Sequence, residues 1–215
     1  VLYFTVLLTG YRKADLTVVY PVARGSGPLL ASVGAVLVLG ETITLLGGLG
    51  ILAVCGGVFL IAGGPRLFRG GDGDAHRKAI AGVRWGAMTG ALIACYTVID
   101  GYAVKVLLIG PVLVDYVGNV LRVPLLALPV LRDRGGFSAA MRTQWKHALV
   151  VGGVGPLAYV LVLYAVTMAP LSHVAPAREV SMLFAALIGG RLLGETDRGP
   201  RLVGAAFMAA GVIAL

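Results

Sequence analysis

The chain has 215 residues, 58% hydrophobic and only 13% charged, with a formal net charge of +8 and a mean hydropathy of +0.92. Soluble domains carry about 25% charged residues, so no polar face here is large enough to cover a globule in water. The basic excess argues against a nucleic-acid partner, because it sits mostly in short gaps between long apolar runs, the usual pattern beside membrane spans.

Val1 to Tyr11 is apolar but too short to span a bilayer, which takes about 20 helical residues. It has no charged leader and no cleavage site, so it reads as the tail of a helix rather than a signal peptide. Arg12, Lys13 and Asp15 make the first polar turn. Leu16 to Leu39 is a helix that Pro21 and Pro28 are expected to interrupt, and Gly40-Glu41-Thr42 ends it. Ile43 to Ala62 is a further helix without a charge. Gly63 to Gly82 is rich in Gly, Arg and Asp and reads as the long loop between two halves, residues 1–63 and 84–215, with 64–83 as linker.

The second half continues with helices at Trp85–Leu108, containing Asp100 and Lys105, and at Val112–Leu131, containing Asp115, Asn119 and Arg122. Arg132 to Lys146 reads as a second basic loop. His147–Met168, Leu171–Leu193 and Arg201–Leu215 complete the set. The expectation is an all-α polytopic membrane bundle of seven spans and a helical stub. Strand alternation is absent, which argues against a β-barrel. Cys55 and Cys95 lie inside apolar runs without metal spacing and are expected to be small buried hydrophobes; no cofactor or metal motif occurs. The basic loop residues, from Arg12 and Lys13 to Arg198 and Arg201, fall on one side, with Lys105 essentially alone on the other. That side is expected to be cytoplasmic.

Two stretches, Ala14–Ala62 and Ala169–Leu215, repeat one another. Ala23-Arg24 matches Ala177-Arg178, Gly40-Glu41-Thr42 matches Gly194-Glu195-Thr196, Gly50 matches Gly204, and Gly57-Val58 matches Gly211-Val212, all at one offset of 154. Pro21 and Pro176 correspond one residue out of register. Internal repeats in apolar sequence are a feature of many secondary transporters.

At these Pro, Ala-Arg and Gly-Glu segments the chain resembles the EamA family of the drug/metabolite transporter superfamily. The resemblance implies two five-helix repeats of inverted orientation. Leu16–Leu39 and Leu171–Leu193 resemble the two fourth helices, Ile43–Ala62 and Arg201–Leu215 the two fifth helices, and Trp85–Met168 helices one to three of the second repeat. The first repeat then reads as truncated, lacking helices one, two and most of three. The family's usual orientation, with both ends cytoplasmic, would put the basic loops outside, against the charge count.

A transporter site tends to form near the midplane, where corresponding helices of the two repeats are broken. Pro21 and Pro176 mark such places, and Arg24 and Arg178 follow directly. Each arginine lies about eight residues, roughly 12 Å, into its helix, within a hydrocarbon layer about 30 Å thick. A midplane arginine costs on the order of 3 kcal/mol on insertion scales and should face the bundle interior. Two readings stand: lining a substrate path, or binding the carbonyls of a broken helix. Glu179 has three: pairing with Arg178, neutralising Arg24, or carrying a proton. Asp100 is a cavity acid or a rim partner of Lys105. Asn119 and Arg122, three apart on one helix face, line the path or pack. Tyr20, Tyr159 and Tyr164 are aromatic walls or, the favoured reading, interface anchors. Glu41 and Glu195 look structural.

The substrate-binding candidates are therefore Arg24, Arg178, Glu179, Asp100, Tyr20 and Asn119, in a secondary transporter of small polar metabolites such as amino acids or organic anions. Its partners are the lipid bilayer and the substrate, with proton or counter-substrate coupling, since no Walker A sequence occurs. The competing readings are an intramembrane enzyme, which lacks any GxSxG, HExxH or paired acidic metal motif, and a non-transporting assembly subunit.

Overall fold

The computed structural model describes residues 2–14, 16–61, 73–182, 184 and 198–215. These form α1 (Leu2–Lys13), α2 (Leu16–Leu39), α3 (Leu45–Ile61), α4 (Gly73–Lys105), α5 (Pro111–Arg132), α6 (Arg134–Met168), α7 (Leu171–Ala177) and α8 (Arg198–Ala214). No strand occurs among the described residues. Four helical stretches are long and apolar enough to cross a membrane: Val18–Leu39, Arg77–Lys105, Pro111–Arg132 and Arg134–Met168. That is fewer than the seven spans expected. α3 and α8 are apolar but have only 17 residues each, at the short end of what a bilayer requires, and α7 has 7.

Three further expectations are corrected. The loop Gly63–Gly82 is half helix: α4 starts at Gly73, and residues 62–72 lie outside the described residues. Its later part is rich in Ala, Lys and Arg, good helix formers, and Ala79 is already buried. The basic loop Arg132–Lys146 is also helical, because Asp133 caps α6. The Gly136 N–H donates to Asp133 Oδ1 at 2.9 Å, satisfying one of the N-terminal donors that a helix leaves unpaired. Finally, α2 runs unbroken through Pro21 and Pro28. A proline removes one bond of the ladder, and packed neighbours in an apolar bundle let the helix continue around it.

The chain divides into two compact units, Leu2–Ile99 with Ala169–Leu215, and Asp100–Met168. In the first, small residues bring helix backbones into close approach. A Cβ placed on Gly82 would lie 2.9 Å from Val18, one on Gly86 2.8 Å from the Val19 carbonyl, and one on Gly90 3.1 Å from the Ala23 carbonyl. Residue numbers rise together along that seam, so α2 and α4 are parallel. Ala31, Ala94 and Ala175 form a shared small-residue core between α2, α4 and α7.

α3 and α8 approach still more closely. A Cβ on Gly50 would lie 2.8 Å from the Gly211 carbonyl, and one on Gly57 2.6 Å from the Gly204 carbonyl. Numbers rise on one helix as they fall on the other, so these two are antiparallel. Val54, Val58, Ile61 and Met208 fill the seam around the glycines. Gly40, with φ +66, adopts the left-handed conformation that closes α2, as the Gly-Glu turn implied.

In the second unit α5 packs on α6, and most of its apolar side chains are exposed, Leu121, Val123, Leu149 and Val151 among them. Exposure on such helices suits lipid contact. The same consideration applies to the cysteines: Cys55 is half-buried and Cys95 exposed, so neither is the fully buried hydrophobe expected.

Candidate functional site

The site begins with how α7 is held at each end. Its first turn follows Pro170, and no local side chain caps it. The cap comes from Glu41, 130 residues earlier. The Leu171 N–H donates to Glu41 Oε1 at 2.7 Å and the Ser172 N–H to Glu41 Oε2 at 2.9 Å. A carboxylate there satisfies two unpaired donors and faces the positive end of the helix dipole. The structural reading of Glu41 thus has a specific content. Its sequence match Gly194-Glu195-Thr196 lies outside the described residues.

The other end of α7 breaks. The expected helix Leu171–Leu193 stops at Ala177, Arg178 and Glu179 form a turn, and residues 180–182 are helical again. The Glu179 N–H donates to the Pro176 carbonyl at 3.0 Å and the Met182 N–H to the Glu179 carbonyl at 2.8 Å. These bonds reach three residues back instead of four, the tighter 3₁₀ winding found where helices carry a hinge or strain. Residues 185–197 lie outside the described residues. Of the two breaks expected at Pro21 and Pro176, only the second occurs.

Glu179 sits at the break with 1% of its side chain exposed, and Arg24 from α2 meets it. Arg24 Nη1 lies 3.2 Å from Glu179 Oε2, with side chains 35% and 1% exposed; it also donates to Oε1 at 3.4 Å. Arg178 Nε lies 3.5 Å from Oε1 of the same carboxylate, with 17% of the Arg178 side chain exposed. That approach lacks hydrogen-bond geometry, and the Arg178 Nε is buried without a hydrogen-bond partner. Tyr20, one turn before Arg24, accepts a hydrogen bond from Arg24 Nε at 3.3 Å, with the guanidinium 5.6 Å from its ring centroid. The contacts Glu41–Leu171, Ser32–Ser172 and Arg24–Glu179 run in opposite senses along the two helices. α2 and α7 are therefore antiparallel, as expected of the helices that start at Leu16 and Leu171.

Four of the six candidates, Tyr20, Arg24, Arg178 and Glu179, are thus brought together. Electrostatically the cluster holds two guanidiniums against one carboxylate. The two arginines offset part of the desolvation cost of the buried carboxylate and leave one positive charge in excess.

No protein-family profile, curated protein or solved structure matches the chain.

Asp100 and Asn119 belong to the second unit. The Tyr159 hydroxyl donates a short hydrogen bond to Asp100 Oδ2. Asn119 Nδ2 donates to Asp115 Oδ2 at 2.8 Å and its Oδ1 accepts from Arg122 Nη1 at 2.9 Å. This makes a polar ladder along α5 that ends on the buried Asp115. Arg122 and Asp115 lie within electrostatic reach of Asp100. Asp115 escaped the sequence reading as a site candidate, although its four-residue spacing from Asn119 is the signal for such a pair. No spacing links Asp100 to Tyr159, 59 residues away. A groove of about 440 Å³ between α2 and α3, lined by Leu29, Val33, Ile43, Leu45, Leu49 and Leu52 among others, is apolar and contains none of the six candidates.

Proposed function

We propose that the chain acts as a secondary transporter of the EamA kind, within the drug/metabolite transporter superfamily, moving small polar metabolites that carry a carboxylate or phosphate-like group across the cell membrane by alternating access. The observation that carries this reading is the meeting of Arg24, Arg178 and Glu179 at a helix break on otherwise apolar helices. Charge at that depth is costly unless it is used. The excess positive charge favours an anionic substrate group, and arginine's planar fork suits carboxylate and phosphate oxygens. Glu179 holds the place of that group between turnovers. Its displacement, by protonation or by the arriving substrate, couples transport to protons or to a counter-substrate. Tyr20 orients the Arg24 guanidinium and supplies an aromatic wall.

The inverted-repeat part of the proposal draws support from the glycine seam. Gly50 matches Gly204 in sequence and Gly57 matches Gly211, yet Gly50 approaches Gly211 and Gly57 approaches Gly204. Such crosswise contact is what a two-fold axis between equivalent elements produces. The antiparallel course of α2 and α7 follows the same rule.

Transport assays on Arg24→Gln and Arg178→Gln in proteoliposomes, against a panel of amino acids and organic anions, test the site. Each change is expected to cut uptake at least tenfold while membrane abundance stays near normal. Normal transport by both variants, or a substrate range that is purely cationic, removes the anion site. Loss of both proteins from the membrane favours a structural role for the arginines, since a buried pair broken on one side costs about 3–5 kcal/mol.

A further inference from the structure

α6 is longer than a bilayer needs. Its 35 residues extend roughly 52 Å at 1.5 Å per residue. The uncharged stretch Ala148–Met168 already supplies the ~20 residues, about 30 Å, that fill the hydrocarbon. The first turns, from Arg134 to His147, therefore stand at and beyond the boundary of that layer. Asp133 caps them into the same helix, so their faces are fixed by helical geometry.

Those faces are ordered. Phe137, Met141 and Trp145 recur every four residues, and so do Arg142 and Lys146, with Arg134 two turns before Arg142. Residues four apart share a face, and the two series differ by one position, so an apolar stripe runs beside a basic one. Among the described residues neither stripe is buried by protein: Phe137, Met141 and Trp145 are 46%, 45% and 51% exposed, and Arg134, Arg142 and Lys146 are exposed as well. The Lys146 Nζ lies 5.8 Å from the Trp145 ring centroid. Asp133 is the one acidic residue between Arg132 and His147, and its carboxylate is engaged in the cap.

We infer that Met141, Arg142, Trp145 and Lys146 form a binding site for the headgroup of an anionic phospholipid. Trp145 lies within about one turn of the hydrocarbon boundary, the depth at which tryptophan rings settle. Arg142 and Lys146 flank it with their charges at phosphate level and their apolar stems toward the acyl chains. The charge sign fits a phospholipid with net negative charge and gives no such preference to a zwitterionic one. This site is independent of the transport reading.

The chain has two tryptophans, so Trp85→Phe leaves Trp145 as the only indole. The variant is reconstituted into vesicles of phosphatidylglycerol and phosphatidylcholine at fixed ratio, with dibrominated acyl chains on one lipid or the other. Brominated phosphatidylglycerol is expected to quench Trp145 beyond its bulk mole fraction. Arg142→Gln with Lys146→Gln is expected to abolish that excess, about fivefold for each charge removed, while total quenching by lipid persists. If Trp85→Phe does not reconstitute, the signal is taken as the difference between the unaltered chain and Trp145→Phe. Equal quenching by both lipids overturns the assignment, as does an excess that survives the double substitution. Absence of quenching from either lipid also overturns it and means that a second copy or another protein covers the stripe.

Discussion

Glu41 stands at the end of α2, and its two carboxylate oxygens hold the first two N–H groups of α7. That bond set fixes where α7 starts, and hence how far along it Arg178 and Glu179 fall. Removing it leaves two part-buried donors unsatisfied, each costing about 1–3 kcal/mol. Glu41→Ala should therefore lower the thermal unfolding midpoint in detergent markedly. Glu41→Gln, which keeps one good acceptor, should fall between it and the unaltered chain. A midpoint unchanged in Glu41→Ala would show that the cap is replaced by solvent. At this scale Arg24, Arg178, Glu179 and Tyr20 stood out in the sequence as polar groups in apolar runs, and the structure brings the four together. Their partners were not legible. Arg24 meets Glu179 155 positions away, and only packing decides such a distance.

The helices themselves follow from apolar run length and turn chemistry. α2 occupies the span read from the sequence, Leu16–Leu39, because Gly40 closes it. The errors came where composition was taken for conformation. The polar segments after Asp72 and after Arg132 are helical, since charge does not break a helix and an aspartate at the right place starts one. Among the glycines of α3, the sequence matches singled out Gly50 and Gly57, and these two face α8. Gly57 faces the Gly204 carbonyl, whereas a Cβ on its neighbour Gly56 would meet nothing within 4 Å. Gly57→Ala should thus push α3 from α8 and cost about 1–3 kcal/mol, the range for overpacking. Gly56→Ala should be neutral or slightly stabilising, by helix propensity. Equal thermal midpoints for the two variants would contradict the seam.

For the molecule as a whole, charge placement sets the orientation expected in a membrane. The basic residues around the first long connection and at the start of α6 should stay cytoplasmic. Gly73→Cys, in a background of Cys55→Ala and Cys95→Ala, should resist a membrane-impermeant thiol reagent in intact cells and react after permeabilisation. Ready labelling in intact cells would instead show the opposite orientation, with the basic segments outside.

The sequence alone determined that this is an all-helical protein suited to a bilayer, because hydrophobic run length and scarcity of charge are properties of the chain itself. It also showed residue matches between two stretches at one offset, since such matches are visible without coordinates. Only the tertiary structure decided which glycines of α3 and α8 meet, which of two similar prolines lies near a break, and that two arginines approach one carboxylate. Pro21 and Pro176 carry the same local cost. Yet α2 continues through Pro21, while α7 ends at Ala177 and turns at Arg178 and Glu179. Contacts between residues far apart in sequence depend on the whole arrangement of helices, and no local pattern encodes them.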